Sequence, residues 1–453
     1  MNLLRPLGVD APHSRRVYIE TYGCQMNFND SEVVLSILQK AGYRYTERME
    51  EADVILANTC SIRDNAEQRI LGRIEQFAFQ KRKRKGVLVG ILGCMAERLK
   101  EELLENSAVD LVVGPDCYRR LPELLECCQV EGKGIDTLLS REETYADVAP
   151  VRLDKNGVNA FISIMRGCNN VCSYCVVPYT RGVERSRESG SIVREACQLF
   201  ENGYREVTLL GQNVDSYRWT APDGTVVDFA DLLAQVAAVN PLLRVRFSTS
   251  YPSDISDKLL DVMASRENIC HHIHLPVQSG SDRMLEKMRR KYDRAWYLER
   301  VRTIREKIPG CGLTTDIIAG FCSETEEDHR DTLSLMEEVG FDSAFMFQYS
   351  ERPGTLAARH YPDDVLPEVK TRRLNEIIAL QMRKSEERYA AQVGTTQTVL
   401  IEGPAKRGEG SLCGRASNYM MCVFPGNGHH AGEYVRVHIN AATPATLIGE
   451  IVE

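Results

Sequence analysis

Three closely spaced cysteines form the clearest chemical motif in the sequence, in the run Cys168-Asn-Asn-Val-Cys172-Ser-Tyr-Cys175. Thiolates separated by three and then two residues can bind three corners of a 4Fe-4S cubane, which leaves the fourth iron without a cysteine from this loop. A zinc knuckle is the alternative, but it usually combines paired Cys-x2-Cys units or a nearby histidine, and neither is present. We therefore predict a cluster with one open iron that can bind a substrate or cofactor.

A second set of cysteines is distributed over the first hundred residues. Cys24, Cys60 and Cys94 are 36 and 34 residues apart, and each follows a predicted strand in ETYGC, ANTC and LGC. Taken singly, each could be a small buried apolar residue. Because the ends of parallel strands meet at one edge of a sheet, the repeated phase predicts a second three-cysteine cluster. Cys117 lies past the fourth strand at a different offset, and we interpret it as structural.

These motifs require elements that bring them together. Four apolar runs within residues 15–128 alternate with helix-like segments, which predicts a parallel α/β domain. Six further strand-helix units follow between residues 159 and 350. A complete eight-unit barrel needs roughly 250 residues, more than this segment contains, so we expect an open (βα)6 partial barrel. A charged helix over residues 366–392 precedes short β-rich runs that predict a small β-barrel. The expected domains are 15–145, 155–390 and 393–453.

Composition sets limits on the class of protein. The 453 residues carry 56 basic and 64 acidic side chains, and 43% are hydrophobic, which is ordinary for a globular protein and excludes wholesale disorder. The longest apolar run, residues 86–96, is shorter than the roughly 20 residues that span a bilayer, so we expect no membrane partner. Fifteen cysteines without a secretory signal favour metal binding in the cytoplasm over a disulfide framework. We also expect a monomer.

Two three-cysteine motifs followed by a small β-barrel resemble the methylthiotransferase family of radical S-adenosylmethionine (SAM) enzymes. The resemblance runs from about Arg15 to Glu453 and is carried by ETYGCQMNFNDSE, NTCSIRDNAEQ and SIMRGCNNVCSYCVVPYTRGVERSR. It implies that the open iron of the Cys168 cluster binds SAM and that one electron cleaves this cofactor to a radical. It further implies that the second cluster carries or activates sulfur, which a first SAM methylates.

The resemblance also implies a substrate, partners and further site residues. The radical would remove hydrogen from C2 of N6-(dimethylallyl)adenosine in the anticodon stem-loop of tRNA, with separate electron and sulfur donors. Cofactor contacts are implied at the loop and at the ends of barrel strands, namely Tyr174, Gly211, Gln212, Asn213, Gln278, Ser279 and Asp316. The chain departs from the family where Gly-Phe-Pro-Gly is common, because it has Cys322-Ser323 after Gly320-Phe321. We interpret Cys322 as structural.

Nucleic-acid contacts are predicted mainly in the last domain, which resembles the TRAM module. Since the net charge is −8, binding would depend on local basic groups, for which we select Lys406, Arg407 and Arg415. Tyr419 either stacks on an unpaired base or belongs to the core. The run KRKRK at residues 81–85 is either a solvated segment or a phosphate contact. We interpret the three histidines of HHIHLPV, residues 271, 272 and 274, as structural.

Three alternatives remain open. Two lie within the family, namely methylthiolation of threonylcarbamoyl-adenosine in tRNA or of an aspartate in a ribosomal protein. The run MRGCNNVCSYCVVPYTRG favours the dimethylallyl-adenosine substrate over both. The third is a non-enzymatic iron-sulfur scaffold that binds RNA, which would hold clusters without cleaving SAM.

Overall fold

The chain divides into two units, which the computed structural model describes over residues 14–61, 64–154 and 156–452. One unit contains the chain up to Leu153 together with Arg166–Asn169 and Val176–Arg185, and the other contains the remainder. Within these described ranges, no helix is both long enough and apolar enough to cross a membrane.

The first unit is built on a six-stranded parallel sheet. Its strands lie in the order β2-β1-β3-β4-β5-β6, with the bounds β1 (Arg16–Tyr22), β2 (Arg44–Tyr45), β3 (Val54–Thr59), β4 (Leu88–Gly93), β5 (Leu111–Val113) and β6 (Gly134–Asp136). Every residue of β3 and β4 is buried, as expected for central strands of a parallel sheet covered on both faces. The four predicted strands are therefore confirmed, and the two short edge strands are additional.

Helices cover both faces of this sheet. They are α1 (Gln25–Lys40), α2 (Asp64–Lys83), α3 (Cys94–Leu99), α4 (Glu101–Glu105) and α5 (Leu121–Glu131). On one face, Leu35 and Leu38 of α1 pack in a core with Leu56. On the other face, Ile74 and Phe77 of α2 pack in a core with Ile55. This arrangement fixes the carboxyl edge of the sheet, where the loops after the strands begin.

The second unit contains the predicted open barrel. Two three-stranded parallel sheets, β13-β10-β7 and β14-β15-β16, are joined by a parallel bridge between Val245 and Ile269. Their strands are β7 (Asn159–Ser163), β10 (Glu206–Leu210), β13 (Arg244–Ser248), β14 (His272–His274), β15 (Gly312–Ala319) and β16 (Ser343–Gln348); the short strands β8 (Met165–Arg166), β9 (Arg185–Ser186), β11 (Arg218–Thr220) and β12 (Val226–Asp228) lie between them in the chain. The (βα)6 architecture is confirmed.

Helices follow the barrel strands with recognisable capping signals. They are α6 (Val177–Arg181), α7 (Ser189–Glu201), α8 (Phe229–Ala237), α9 (Asp257–Ala264), α10 (Asp282–Lys287), α11 (Arg294–Lys307), α12 (Glu326–Val339), α13 (Leu356–His360) and α14 (Pro367–Ala390). Capping boxes start α8 and α12, and Gly340 ends α12 in the left-handed conformation, which glycine adopts without strain. Helix α14 begins with Pro367 in its first turn, which confirms the predicted charged connector.

The last strands close into the predicted small barrel. They are β17 (Thr396–Pro404), β18 (Ser411–Ala416), β19 (Met421–Pro425), β20 (Tyr434–Thr443) and β21 (Thr446–Val452), in the closed order β17-β18-β19-β21-β20. Val399, Cys422, Phe424, Val437 and Leu447 form its core. The alternation of buried and exposed residues along β20 matches a strand with one face inward.

A turn of this small barrel, which we call the docking turn (residues 416–420), packs against the amino ends of the open barrel's strands. Glu206 accepts hydrogen bonds from Arg244 Nε (2.6 Å) and Arg246 Nε (2.8 Å), and all three side chains are buried. The two guanidinium groups also donate to the carbonyl oxygens of residues 415–417. The small barrel is thus fixed by buried charges at the edge opposite to the strand ends that carry the candidate site.

Candidate iron-sulfur and cofactor sites

The auxiliary cysteines, Cys24, Cys60 and Cys94, follow three strands that are neighbours in the first sheet. Cys24 lies two residues after β1, while Cys60 and Cys94 come directly after β3 and β4. Gly23 has a φ of +132°, and a Cβ at this position would overlap the side chain of Cys60. A glycine is therefore needed to bring the Cys24 loop against Cys60.

Hydrogen bonds and charge interactions join the three thiols. A hydrogen bond with Cys60 is the largest cause that lowers the pKa of Cys24 to about 6, and the Arg181 guanidinium contributes to the shift. Cys94 is buried, which raises the pKa of its thiol, and it interacts electrostatically with both Cys24 and Arg181. Arg181 Nε donates to Cys94 Sγ at 3.2 Å. The structure thus brings the auxiliary cysteines together around one positive charge.

The chemistry of this donor set matches the ligands of an iron-sulfur cluster. Thiolates are the ligands that hold such clusters, and each thiolate of a cubane binds a different iron, so three cysteines from three loops can share one cluster. Three neighbouring thiols at a sheet edge beside a guanidinium that offsets their negative charge therefore suit a 4Fe-4S cluster.

Asp30, on α1 and six residues after Cys24, links two buried arginines near this site. Arg166 Nη1 donates to Asp30 Oδ1 and Arg181 Nη2 donates to Asp30 Oδ2, both at 2.8 Å. Burial disfavours the carboxylate, but the two guanidinium groups outweigh it and hold the pKa of Asp30 below its usual value. Sequence reasoning missed all three residues because nothing in their spacing shows that they meet.

The loop cysteines, Cys168, Cys172 and Cys175, follow the first strand of the open barrel. The Cys168 N–H donates to the Gly182 carbonyl at 3.1 Å. Gly167 has a φ of +78°, and a Cβ there would overlap the Val183 carbonyl oxygen, so the approach to Cys168 requires glycine. Further along the loop, the Cys175 N–H donates to the Cys172 carbonyl at 3.1 Å.

A buried arginine also lies beside one of the loop cysteines. Arg290 Nη1 is 3.4 Å from Cys172 Sγ and 3.4 Å from the hydroxyl of Tyr174. Its guanidinium lies over the ring of Tyr251 at 4.2 Å and donates through Nη2 to a carbonyl oxygen. Arg290 therefore places a hydrogen-bond donor and a positive charge beside the sulfur of Cys172.

The residues after β10 present buried acceptors without donors. Gly211, Gln212 and Asn213 follow this strand directly, and Asn213 Nδ2 donates to Asp254 at 2.6 Å. Gln212 Oε1, Asn213 Oδ1 and Asp215 Oδ1 are buried and accept no hydrogen bond within the described ranges. Burial is also the main cause that raises the pKa of Asp215 to about 8. Since SAM carries an ammonium group and ribose hydroxyls as donors, these acceptors fit that cofactor. Sequence reasoning missed Asp215.

The other predicted cofactor contacts lie after β14 and, for Asp316, inside β15 rather than at a strand end, and they differ in accessibility. Gln278 has a φ of +74° and donates its N–H to the Asp316 carbonyl at 2.9 Å. Asp316 is partly exposed, and its Oδ1 lies 3.4 Å from His274 Nε2. Ser279 is fully buried and its hydroxyl is hydrogen-bonded to Thr332 of α12 at 3.2 Å. The structure therefore groups Gln278 with Asp316, whereas the Ser279 hydroxyl is engaged with a helix.

The residues predicted to bind RNA fall into two environments. Lys406 and Arg407 are exposed in the turn between β17 and β18. Arg415 donates to Glu402 at 2.6 Å and lies over the ring of Tyr419. Tyr419 belongs to the docking turn and stacks on His272 with ring centroids 4.6 Å apart. Tyr419 therefore packs on a neighbouring ring, but it is 38% exposed and does not belong to the core, which was one of its two predicted roles.

The remaining sequence signals have structural partners. In the basic run, Lys81 pairs with Asp110 and Arg84 pairs with Asp53, while its other three side chains are exposed. The thiol of Cys117 donates to Asp136, and burial raises its pKa to about 12. Cys322 is fully buried in an apolar cluster. The paired members of the run and these two cysteines thus contribute to structure.

Comparisons with known proteins agree with this arrangement. Three family models match successive parts of the chain: the uncharacterized protein family UPF0004 over residues 16–114, the radical SAM superfamily over 162–336 and the TRAM domain over 390–452.

Among solved structures, the chain is similar to the radical SAM methyltransferase TsrM of Kitasatospora setae with cobalamin and a 4Fe-4S cluster bound. The TM-score is 0.57 with 15% identity, over 76% of this chain and 77% of that one. It is also similar to the cobalamin-dependent SAM radical enzyme OxsB, with a TM-score of 0.53 and 13% identity over 81% of this chain and 56% of that one. At these identities the likeness shows the fold alone.

Curated relatives are far more similar. A protein of Bacteroides thetaiotaomicron is 56% identical over 442 residues, which cover 98% of this chain and 97% of the relative. A protein of Porphyromonas gingivalis is 53% identical over 459 residues, which cover 100% of this chain and 98% of the relative. Both relatives carry the name tRNA-2-methylthio-N(6)-dimethylallyladenosine synthase.

Proposed function

The chain belongs to the tRNA-2-methylthio-N(6)-dimethylallyladenosine synthase family, and we propose that it converts N6-(dimethylallyl)adenosine beside the tRNA anticodon to its 2-methylthio derivative. The observation that carries this proposal is the meeting of the auxiliary cysteines at one sheet edge, in a chain that also has the Cys-x3-Cys-x2-Cys loop. The C2 hydrogen of adenosine has no usable acidity, so acid–base catalysis alone would fail and a radical route is required.

Each set of cysteines has its own role in the proposal. The loop cysteines hold a 4Fe-4S cluster with an open iron for SAM, and the auxiliary cysteines hold a second cluster that carries sulfur. When bound, the first cluster and SAM supply the one-electron chemistry that generates a hydrogen-abstracting radical. Arg290 donates to Cys172 Sγ, and the acceptors after β10 bind the donor groups of SAM. Gln278 and Asp316 complete the cofactor contacts.

A tRNA-modifying enzyme also needs a surface for tRNA and external donors of electrons and sulfur. Lys406 and Arg407 are exposed and available to tRNA phosphates, whereas Arg415 is held by Glu402 and adds charge to the same module. A tRNA substrate places the reaction in the cytoplasm, with external electron and sulfur donors and a monomeric enzyme. We assign residues 15–145, 155–390 and 393–453 to the three functional modules.

The test is anaerobic reconstitution followed by an activity assay. Iron and sulfide are counted per chain, the protein is incubated with SAM, reductant and tRNA bearing dimethylallyl-adenosine, and digested nucleosides are analysed by mass spectrometry. We expect about eight irons, 5′-deoxyadenosine and a methylthio-nucleoside. A count of about four irons per chain would contradict the presence of a second cluster. If 5′-deoxyadenosine forms but the tRNA stays unmodified, the substrate is that of one of the two other family reactions. Clusters without SAM cleavage would favour the non-enzymatic iron-sulfur scaffold.

Cysteine variants separate the two clusters. Cys168→Ala should abolish SAM cleavage, whereas Cys24→Ala should retain cleavage and lose sulfur insertion. Cys117→Ala is the matched control, because this buried thiol is hydrogen-bonded to Asp136 and not to another cysteine. Equal loss of cleavage in Cys168→Ala and Cys24→Ala would contradict the division of roles.

A further inference from the structure

Arg181 occupies an unusual position for a buried charge. Its side chain is 3% exposed, its Nε donates to Cys94 Sγ at 3.2 Å and its Nη2 donates to Asp30 at 2.8 Å. The third nitrogen, Nη1, is buried and has no hydrogen-bond partner within the described ranges. Two donors of one planar guanidinium thus connect a cysteine sulfur to a fixed carboxylate, which holds the Nε–H in a defined direction.

Arg181 belongs to a buried cluster of charges. Asp30 and Asp116 pair with three buried arginines, Arg166, Arg181 and Arg185. Arg181 shares the Asp30 carboxylate with Arg166, and its Nε–H is directed at Cys94 Sγ. The guanidinium of Arg181 therefore places both a donor and a positive charge at this sulfur.

We propose that Arg181 is a positioning residue that tunes the auxiliary cluster by donating its Nε–H to the Cys94 thiolate. The inference rests on the second cluster of the proposed function. Hydrogen bonds to cluster sulfurs and nearby charge are among the determinants of a cluster's reduction potential. Reduction adds one electron from an external low-potential donor, breaks no bond and makes the cluster more negative. A fixed cationic donor stabilises that state, so Arg181 raises the reduction potential.

The experiment isolates the auxiliary cluster in the full-length chain. The parent carries Cys168→Ala, Cys172→Ala and Cys175→Ala, so that the auxiliary site alone can be reconstituted. Arg181→Gln and Arg181→Lys are made in this parent, together with Arg185→Lys as the matched control. Arg185 is equally buried and belongs to the same network, but it donates to Asp116 and to backbone carbonyls. Iron is counted, and the midpoint potential is measured by dye-mediated titration with dithionite, following the electron paramagnetic resonance signal of the reduced cluster.

The expected result is a graded loss of reducibility. The reduction equilibrium constant should fall about tenfold in Arg181→Gln, which for one electron corresponds to 59 mV. Arg181→Lys should give a smaller fall, because it retains the charge and loses the planar Nε donor. Arg185→Lys should leave the potential unchanged.

Three results would overturn the inference, and they are distinguishable. If the parent variant without the loop cysteines binds no iron, the auxiliary cluster does not form, and both the proposed second cluster and this inference are refuted. An unchanged potential in an iron-loaded Arg181→Gln chain would refute the tuning role and leave the proposed function intact. Loss of iron in both Arg181 variants but not in Arg185→Lys would also refute it, because the guanidinium would then serve assembly alone.

Discussion

Replacing Glu206 with glutamine should release the docking turn from the open barrel. The Glu206 carboxylate binds the Nε atoms of Arg244 and Arg246, and these side chains are 5%, 6% and 4% exposed. Breaking a buried ion pair by removing one partner costs about 3–5 kcal/mol. The amide of Glu206→Gln keeps one acceptor oxygen, so we expect about 3 kcal/mol, or roughly a hundredfold in the local opening equilibrium.

Hydrogen exchange followed by mass spectrometry measures this opening directly. A global denaturation midpoint would combine several modules that need not unfold together, whereas amide exchange reports the docking turn itself. The amides of Ala416 and Tyr419 are hydrogen-bonded within the turn and should exchange about a hundredfold faster in Glu206→Gln. Asp257→Asn is the control, because it removes a carboxylate from an exposed pair with Arg300. Exchange within about threefold of the unmodified protein would refute the conclusion that this ion pair holds the turn.

Three further predictions concern the loop, the cofactor site and the RNA surface. Gly167→Ala should reduce reconstituted iron from about eight toward about four per chain, because its Cβ would displace the Val183 carbonyl. Gly157→Ala is the control, since Gly157 also has a positive φ but lies in open space, and this variant should keep both clusters. Equal iron in the two variants would contradict the prediction. Asp215 holds its proton in the folded state with a pKa of about 8, so the folded chain binds more protons than the unfolded chain and stability should fall as pH rises from about 4 toward 8. In Asp215→Asn that fall should shrink, as thermal midpoints of the SAM-free protein at pH 6 and 8.5 would show, and parallel pH profiles would contradict it. The double variant Lys406→Ala, Arg407→Ala should weaken tRNA binding. The slope of the logarithm of the binding constant against the logarithm of salt concentration should fall by nearly one unit for each phosphate-binding cation removed, whereas Arg330→Ala on α12 should leave it unchanged. An unchanged slope for the double variant in filter-binding titrations would exclude a phosphate-binding role for these two side chains.

The fold was largely predictable because burial imposes regular patterns on its main strands. Strands β3 and β4 are apolar throughout, since helices cover both faces of their parallel sheet. By contrast, β2 and β6 have two and three residues, too few for a period to be detected. The run CHHIHLPV forms a strand only over His272–His274, because it reaches Pro276 soon afterwards. Prediction from pattern thus depends on element length.

The candidate site was predictable where residues share a position relative to their strands. The auxiliary cysteines each lie within two residues of the end of one of three neighbouring parallel strands, so their meeting follows from the sheet. Arg181 and Asp30 are 151 residues apart, and their contact depends on the tertiary packing of α6, which lies against α3. No local propensity encodes such a contact, which explains why the groups that surround the cysteine sulfurs were missed while the sulfurs themselves were found.

The docking turn has a consequence for the synthesis of the chain. Arg244 leaves the ribosome 171 residues before the carbonyl of residue 415 that it binds. At about 5–20 residues per second, this interval lasts roughly 10 to 30 s, and throughout it the guanidinium groups at the amino ends of the strands remain hydrated. Completion of the open barrel is therefore tied to completion of translation. A nascent chain that terminates before the docking turn leaves these guanidinium groups without their carbonyl acceptors at the amino ends of the strands.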